Sequence, residues 1–206
     1  ANGEYSTFHI NQAGESSGTT AQKKSAVLAA MTVSLDRVNG ILENDLSINL
    51  EFIPTTDNYI FLDPATDPYS NPNSTSAILN DNNNFMPGAV GDANYDIGHV
   101  YTTAPGGVAF VGALCNDNIK AGGVTGSSSP VGDGFDLILA HEFGHALGIG
   151  HVAGESSLMY PMLGGQPRDL RLSSFDEAAF AEVCAERSLW DTILSGIEAA
   201  VSPRYE

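Results

Sequence analysis

The sequence predicts a mixed α/β fold in which short strands are combined with long helices. Apolar and polar residues alternate over residues 5–10 and 48–53, which is typical of strands. Between these two segments, residues 21–42 place apolar side chains at helical spacing. A second stretch of helical composition follows at residues 136–147. We therefore expect a chain that opens as β-α-β and later forms a further helix.

The middle of the chain is expected to combine irregular segments with short strands. Residues 55–92 are rich in Asn, Asp, Pro and Ser and predict a surface excursion, with one short regular element near residues 76–79. Residues 95–103 and 108–114 are rich in strand formers and are separated by Ala-Pro-Gly-Gly, which predicts two strands joined by a turn. The Gly- and Ser-rich residues 122–134 predict a loop.

The helix predicted at residues 136–147 carries its own end signals. Asp133 or Asp136 is available to cap its N-terminus, and Gly148 follows its last residue. After a loop that extends to residue 171, residues 174–187 have the composition of another helix with acidic residues at its start. A chain of 206 residues, 42% of them hydrophobic, has the length and apolar content of one domain.

The charge of the chain restricts its partners. Its 25 acidic and 8 basic residues give a formal net charge of −17, which would repel nucleic acids and anionic membrane surfaces. No run approaches the ~20 consecutive apolar residues that span a bilayer, and the first residues lack the features of a signal peptide. We expect a soluble, already processed chain that neither binds nucleic acid nor inserts into a membrane.

The acidic residues are scattered along the chain, so a solvated surface is the simplest explanation for them. Calcium binding is left open by the sequence. Glu4, Asp92 and Asp96 are the candidates for such a site.

One group of residues has the spacing of a metal site. Residues 141–151 follow the pattern His-Glu-x-x-His-x-x-Gly-x-x-His, whose chance expectation in this chain is roughly 10⁻⁵. His141 and His145 are one helical turn apart, so both imidazoles can reach a single zinc ion. A continuing helix would put His151 about 9 Å beyond His145 along the helix axis. The chain must therefore turn back at Gly148, through a positive φ, to bring His151 in as third ligand.

Three neutral histidines leave a zinc ion its full charge and an open position, which is the arrangement of a catalytic site. Glu142 stands beside His141 and is placed to take a proton from the attacking water and to pass it to the departing amine of a peptide. A closed structural zinc site, or a cluster of core histidines, would not need this glutamate. His9 and His99 each stand alone in a strand-like segment, so we expect structural roles for them.

The extended motif, together with Ser-Leu-Met-Tyr-Pro at residues 157–161, resembles the metzincin zinc endopeptidases. In metzincins a methionine turn lies beneath the metal ligands, and the resemblance implies that Met159 is this methionine. Residues 141–162 also resemble matrix metalloproteinases. Residues 107–115, with Tyr-Asp-Ile-Gly-His-Val at 95–100 and Gly-Val-Thr-Gly at 123–126, are similar to adamalysin/reprolysin proteases and look like bacterial members of that group.

The resemblance implies a metzincin fold of the α/β (α+β) class. It has a twisted mixed sheet with an edge strand over the cleft, an active-site helix, and a small C-terminal part that holds the methionine turn and a helix. Residues 1–206 would form a single catalytic domain, with an upper part at about 1–150 and a lower part at about 151–206. The edge strand would bind substrate antiparallel, through Gly107, Val108 and Ala109. Pro161 and Met162 would line a specificity pocket whose apolar character predicts a hydrophobic residue just after the scissile bond.

The two cysteines, Cys115 and Cys184, form either one disulfide or two buried thiols as far as composition can tell. In the reprolysin group the cysteine after the edge strand pairs with one in the C-terminal helix. The resemblance therefore implies a disulfide between these two residues, and with it secretion. The chain departs from the group at Val152, where reprolysins usually have Asp, and in lacking cysteines for further disulfides.

The expected function is that of a secreted, monomeric zinc endopeptidase acting on proteins or peptides. One alternative is a catalytically silent zincin-fold module for binding or adhesion, and another is a metal-dependent hydrolase with a substrate other than protein. The presence of Glu142 beside all three histidines favours the enzyme. By analogy, the methionine turn and the edge strand favour a peptide substrate.

Overall fold

The fold was analysed on a computed structural model, which describes residues 1–114, 116–153 and 157–161 together with Ser173, Ser174, Asp176 and Ala178. Across these residues the fold is mixed α/β, as predicted. Helices and strands follow one another in the order α1 (Gly3–Gln12), α2 (Thr20–Leu46), α3 (Thr75–Ala89), β1 (His99–Thr102), β2 (Gly106–Ala109), β3 (Gly123–Gly126) and α4 (Gly132–Ala146). Short 3₁₀ helices occupy Thr56–Tyr59 and Asp92–Asn94.

The described strands form a mixed sheet in the order β1-β3-β2. The central strand β3 runs parallel to β1 and antiparallel to β2, and its Val124 lies opposite both Val100 and Val108. The predicted strands at 95–103 and 108–114 are therefore present in shortened form. The first covers 99–102, and the second is displaced to 106–109. Among the described strands, β2 pairs with β3 alone and lies at one edge of this sheet.

Helix α2 is the central packing element. Thr19 and Gln22 form a reciprocal capping box at its start, and the helix ends at Ser47 in the left-handed conformation. By length and composition alone it is the one helix in the described ranges that could cross a bilayer. Its buried residues, however, recur at helical spacing and belong to the main hydrophobic core with residues of α1 and α4. The apolar side of α2 is thereby accounted for by packing within the domain.

The start of α4 is fixed by a cation rather than by a side-chain cap. The prediction that Asp133 or Asp136 caps the helix is wrong, because its N-cap residue is Val131 and makes no side-chain hydrogen bond. Both carboxylates instead accept hydrogen bonds from Arg37 of α2, at 2.6 and 2.8 Å. The Asp136 side chain is buried, so this ion pair links α2 to α4 at the edge of the core.

Two predicted strands are absent from the described structure. Residues 5–10 belong to α1, because Tyr5, Ser6, His9 and Ile10 are buried together as one helical face and Asn2 caps the helix at Tyr5 N–H. Residues 48–53 belong to no helix or strand. The Asn39 side chain satisfies both the N–H and the C=O of Leu50, at 2.9 and 2.8 Å. This segment lines a cavity of about 750 Å³ together with residues of β1 and α4.

Two regions predicted to be largely irregular contain regular elements. Residues 75–89 form α3, capped by Ser74, where one short element was expected. Its Asn82 is buried and bonds Tyr69 and the carbonyl of Ala121, so the asparagines serve tertiary contacts. The predicted loop at 122–134 contains β3 and the start of α4. Gly123 and Gly126 are needed because a Cβ there would overlap the His99 ring or the Ala104 carbonyl.

Towards the C-terminus, Ser174, Asp176 and Ala178 are helical, in agreement with the start of the helix predicted at 174–187. The rest of that helix and most of the predicted lower part lie outside the described residues. The division into residues 1–150 and 151–206 therefore stays a prediction.

Candidate active site

The end of α4 brings the metal motif together. Helical residues His141, Glu142 and His145 are buried, and the helix closes through two hydrogen bonds, from Gly148 N–H to His145 C=O at 2.8 Å and from Ile149 N–H to Gly144 C=O at 2.9 Å. This is the pattern of a Schellman motif. Gly148 has φ +100°, so the predicted left-handed turn at this residue is confirmed.

The turn places His151 against the two helical histidines. The Nε2 atoms of His145 and His151 are 3.1 Å apart, and one ligand atom from each of the three histidines lies within 4.8 Å of the others. Four ligands arranged tetrahedrally at about 2.0–2.1 Å from a zinc ion lie about 3.4 Å from one another. The spacing of these three side chains therefore fits a shared zinc ion.

Backbone carbonyls set the tautomers of the two helical histidines. His141 Nδ1 is 2.7 Å from the carbonyl of Leu158, and His145 Nδ1 is 2.8 Å from that of Ile149. A carbonyl only accepts hydrogen bonds, so both Nδ1 atoms carry the proton and both Nε2 lone pairs are available to a metal. Burial lowers the pKa of His145, which favours the neutral form that ligation requires.

Glu142 lies beside the histidines in a dry environment. The residue is 4% exposed, and its Oε2 is buried without a hydrogen-bond partner among the described residues. Burial raises the pKa of Glu142 to about 8. A Cβ on Gly107 of β2 would overlap the Glu142 carboxylate. The edge strand thus lies directly on this side chain, and only glycine permits that approach.

Met159, which the resemblance implies to be the turn methionine, is fully buried. A Cβ on Gly144 of α4 would overlap the Met159 sulfur, so the thioether packs against the helix between His141 and His145. The Met159 carbonyl also accepts a hydrogen bond of 3.0 Å from Val152 N–H, next to His151. Sequence reasoning did not single out Gly144, although its place within the His-Glu-x-x-His segment was the available signal.

The other predicted substrate-binding residues that the structure describes lie on β2 and at the end of the segment 157–161. Val108 and Ala109 lie on β2 beside Gly107, and Pro161 is exposed at the end of the described segment 157–161. Met162, Cys115 and Cys184 lie outside the described residues. His9 is on α1, contrary to the predicted strand, whereas His99 is on β1, where its ring stacks on Phe143 and its Nε2 is 2.9 Å from Thr125 Oγ1.

Metal-ligating side chains converge at one place in the part of the chain that the structure describes, and that place is the histidine group. The calcium candidates Glu4, Asp92 and Asp96 do not form such a group there.

The sequence that contains this site matches a known family of peptidases. The sequence model of metallo-peptidase family M12B, reprolysin-like, matches residues 9–189. The chain belongs to the reprolysin-like M12B metallopeptidases. The matched range includes all three histidines, so this reprolysin-like chain is a zinc-dependent peptidase with His141, His145 and His151 as the residues that can hold the zinc ion. The likeness of residues 141–162 to matrix metalloproteinases stays a local resemblance.

Replacing Gly144 with alanine should test the packing of Met159 under the site. The added Cβ meets a fully buried side chain, and such overpacking costs about 1–3 kcal/mol. We expect Gly144→Ala to lower the free energy of unfolding by that amount in urea denaturation. Gly134→Ala is the matched control, because it lies in the same helix with open space around it and should stabilise slightly. Equal effects of the two substitutions would contradict this packing.

Proposed function

We propose that this chain is a secreted zinc endopeptidase that hydrolyses peptide bonds of proteins with Glu142 as general base and general acid. The observation that carries the proposal is the convergence of three histidines beside a buried glutamate, directly under an edge strand. The M12B family membership supports the same reaction class.

When bound, zinc supplies Lewis acidity, which activates water and polarises the peptide carbonyl. Glu142 takes a proton from the attacking water and then delivers it to the nitrogen of the departing amine. Its buried Oε2, which has no hydrogen-bond partner in the described ranges, is available for both transfers. The reaction needs no covalent link between the chain and its substrate.

Strand β2 is suited to hold the substrate backbone. It pairs with β3 on one side, and in the described part of the chain no strand pairs with its other side. An extended peptide can add there antiparallel, which recognises backbone with little demand on sequence. Gly107, Val108 and Ala109 would then run alongside the scissile bond, next to Glu142.

The specificity pocket is proposed from the sequence that follows the methionine turn. Pro161 begins this segment, and Met162, Leu163 and Leu170 continue it in the undescribed region. These apolar residues support a preference for a hydrophobic residue just after the scissile bond.

Hydrolysis of a denatured generic protein tests the proposed activity. Activity should disappear on chelation, return with zinc and be absent in Glu142→Ala, because both the metal and the proton carrier are required. Mass spectrometry of the products should show cuts mainly before hydrophobic residues. If Glu142→Ala bound zinc and cleaved as fast as the wild type, the proposed role of Glu142 in proton transfer would be wrong. Zinc binding without any cleavage would favour the silent binding module, and cuts mainly before acidic residues would contradict the apolar pocket.

Gly107→Ala tests the contact between the edge strand and Glu142. The added Cβ must displace the carboxylate, and a misplacement of about 1 Å can cost about 100-fold in rate. We expect kcat to fall by about 10- to 100-fold while zinc content stays at the wild-type level. Gly134→Ala, in open space away from the site, should keep the wild-type kcat. Full activity of Gly107→Ala would show that the strand does not constrain Glu142.

The disulfide between Cys115 and Cys184, and with it secretion, is proposed on the family pattern alone. Thiol titration of the denatured protein should find no free thiol before reduction and two after it. Two free thiols in a sample purified under oxidising conditions would contradict the pairing.

A further inference from the structure

The turn at residues 157–159 contacts His141 directly and contacts residues close in sequence to the other two histidines. The carbonyl of Leu158 accepts the Nδ1 proton of His141, and the carbonyl of Met159 accepts the N–H of Val152, beside His151. The Met159 side chain packs on Gly144, beside His145. Because three separate contacts meet at this turn, any displacement of it is transmitted to the ligand set.

The carboxylate of Asp176 holds this turn in place by accepting hydrogen bonds from it. Asp176 is fully buried, and its Oδ1 accepts hydrogen bonds from Ser157 Oγ and, at 3.2 Å, from Met159 N–H. Its Oδ2 accepts from Leu158 N–H at 3.2 Å. The turn thus directs two backbone N–H groups and one hydroxyl at a single carboxylate.

The same carboxylate also closes the first turn of the following helix. Ser173 donates to Oδ2 through both its N–H and its hydroxyl, each at 2.8 Å, and its Oγ accepts from Asp176 N–H at 3.4 Å. This is a capping box, with Asp176 in the place of the usual Glu. Five donors therefore surround a side chain that, when ionised, offers only acceptors.

One peptide group joins Asp176 to a zinc ligand. The N–H of Met159 and the C=O of Leu158 belong to the same peptide unit. The N–H is shared between Asp176 Oδ1 at 3.2 Å and Ser157 Oγ at 3.0 Å, and the C=O accepts from His141. Hydrogen bonds in such a chain polarise one another, so a carboxylate at one end makes the carbonyl at the other a better acceptor. A stronger acceptor on Nδ1–H fixes the imidazole and raises the basicity of its Nε2.

We infer that Asp176 is a positioning residue for the metal site, acting on His141 through the peptide group between Leu158 and Met159. The inference rests on the proposed zinc site and assigns Asp176 a role beyond capping its helix. Partners of this kind typically change metal affinity by about 10- to 100-fold when they are removed.

Asp176→Asn tests the inference, since it keeps the shape of the side chain but turns an NH₂ towards groups that donate. Zinc affinity, measured by competition with a chromophoric chelator, should fall by about 10- to 100-fold. In the zinc-free protein, the Nδ1–H resonance of His141 should exchange faster with solvent in the variant, because its acceptor is less firmly held. This second measurement needs neither zinc nor activity.

Two control variants separate positioning from stability. Ser173→Ala removes a capping hydrogen bond but leaves the bonds to the turn, so it should lower the melting temperature without changing zinc affinity or Nδ1–H exchange. Asp81→Asn removes a carboxylate of α3 that accepts hydrogen bonds from the N–H and the hydroxyl of Ser70, outside the metal motif and the turn, and should change neither metal readout.

The inference is overturned if Asp176→Asn keeps wild-type zinc affinity and wild-type Nδ1–H exchange, or if Ser173→Ala changes both as much as Asp176→Asn does. Should Asp176→Asn fail to fold, Ser157→Ala decides, because it removes a donor to Asp176 and should shift both readouts in the same direction. Failure of the wild type to bind zinc would contradict the proposed function, and the Nδ1–H exchange of the zinc-free proteins would still decide the role of Asp176.

Discussion

The departure of the chain from α4 at Gly148 is the constraint on which the site depends. A continuing helix would carry His151 about 9 Å past His145, whereas the left-handed turn brings their Nε2 atoms to 3.1 Å. The same helix end also holds the segment that follows β2, because the carbonyls of His145 and Ala146 accept hydrogen bonds from Gly112 and Leu114. Closing the helix at this residue thus assembles the ligands and holds the strand that covers Glu142. A side chain at 148 would strain both arrangements at once.

Backbone groups, rather than charged side chains, hold the ligand histidines in place. His141 and His145 each donate from Nδ1 to a carbonyl, so both imidazoles present the same nitrogen, Nε2, to a metal. The carbonyls themselves lie in tight turns, one closed by Gly148 and the other held by Asp176. Asp176 adds a charged group to these backbone contacts, and one peptide group separates it from His141. Placing the carboxylate at that distance influences the ligand without bringing a negative charge into contact with the imidazole.

The sequence was sufficient where a feature depends on local geometry and insufficient where a distant contact decides. The ligand spacing and the turn at Gly148 follow from helical geometry alone, and both were predicted. Residues 5–10 fit both a strand and a helix pattern, and packing of Tyr5 and His9 against the core selected the helix. The glycines of β3 suggested a loop. They are required because His99 and Ala104 approach them closely, and this contact exists only in the folded sheet. Arg37 likewise binds the carboxylates of Asp133 and Asp136, which were expected to cap α4.

The environment of Glu142 shows how a tertiary contact gives a local motif its chemistry. Helix α4 places the residue, but the glycine at position 107 of a separate strand allows β2 to cover it and exclude water. Burial then raises the pKa of the carboxyl group to about 8. A divalent cation at the neighbouring histidines would act in the opposite direction, because it favours the carboxylate. A group that first accepts and then returns a proton works best when its pKa lies near the working pH, and these two opposing effects bring Glu142 towards that range.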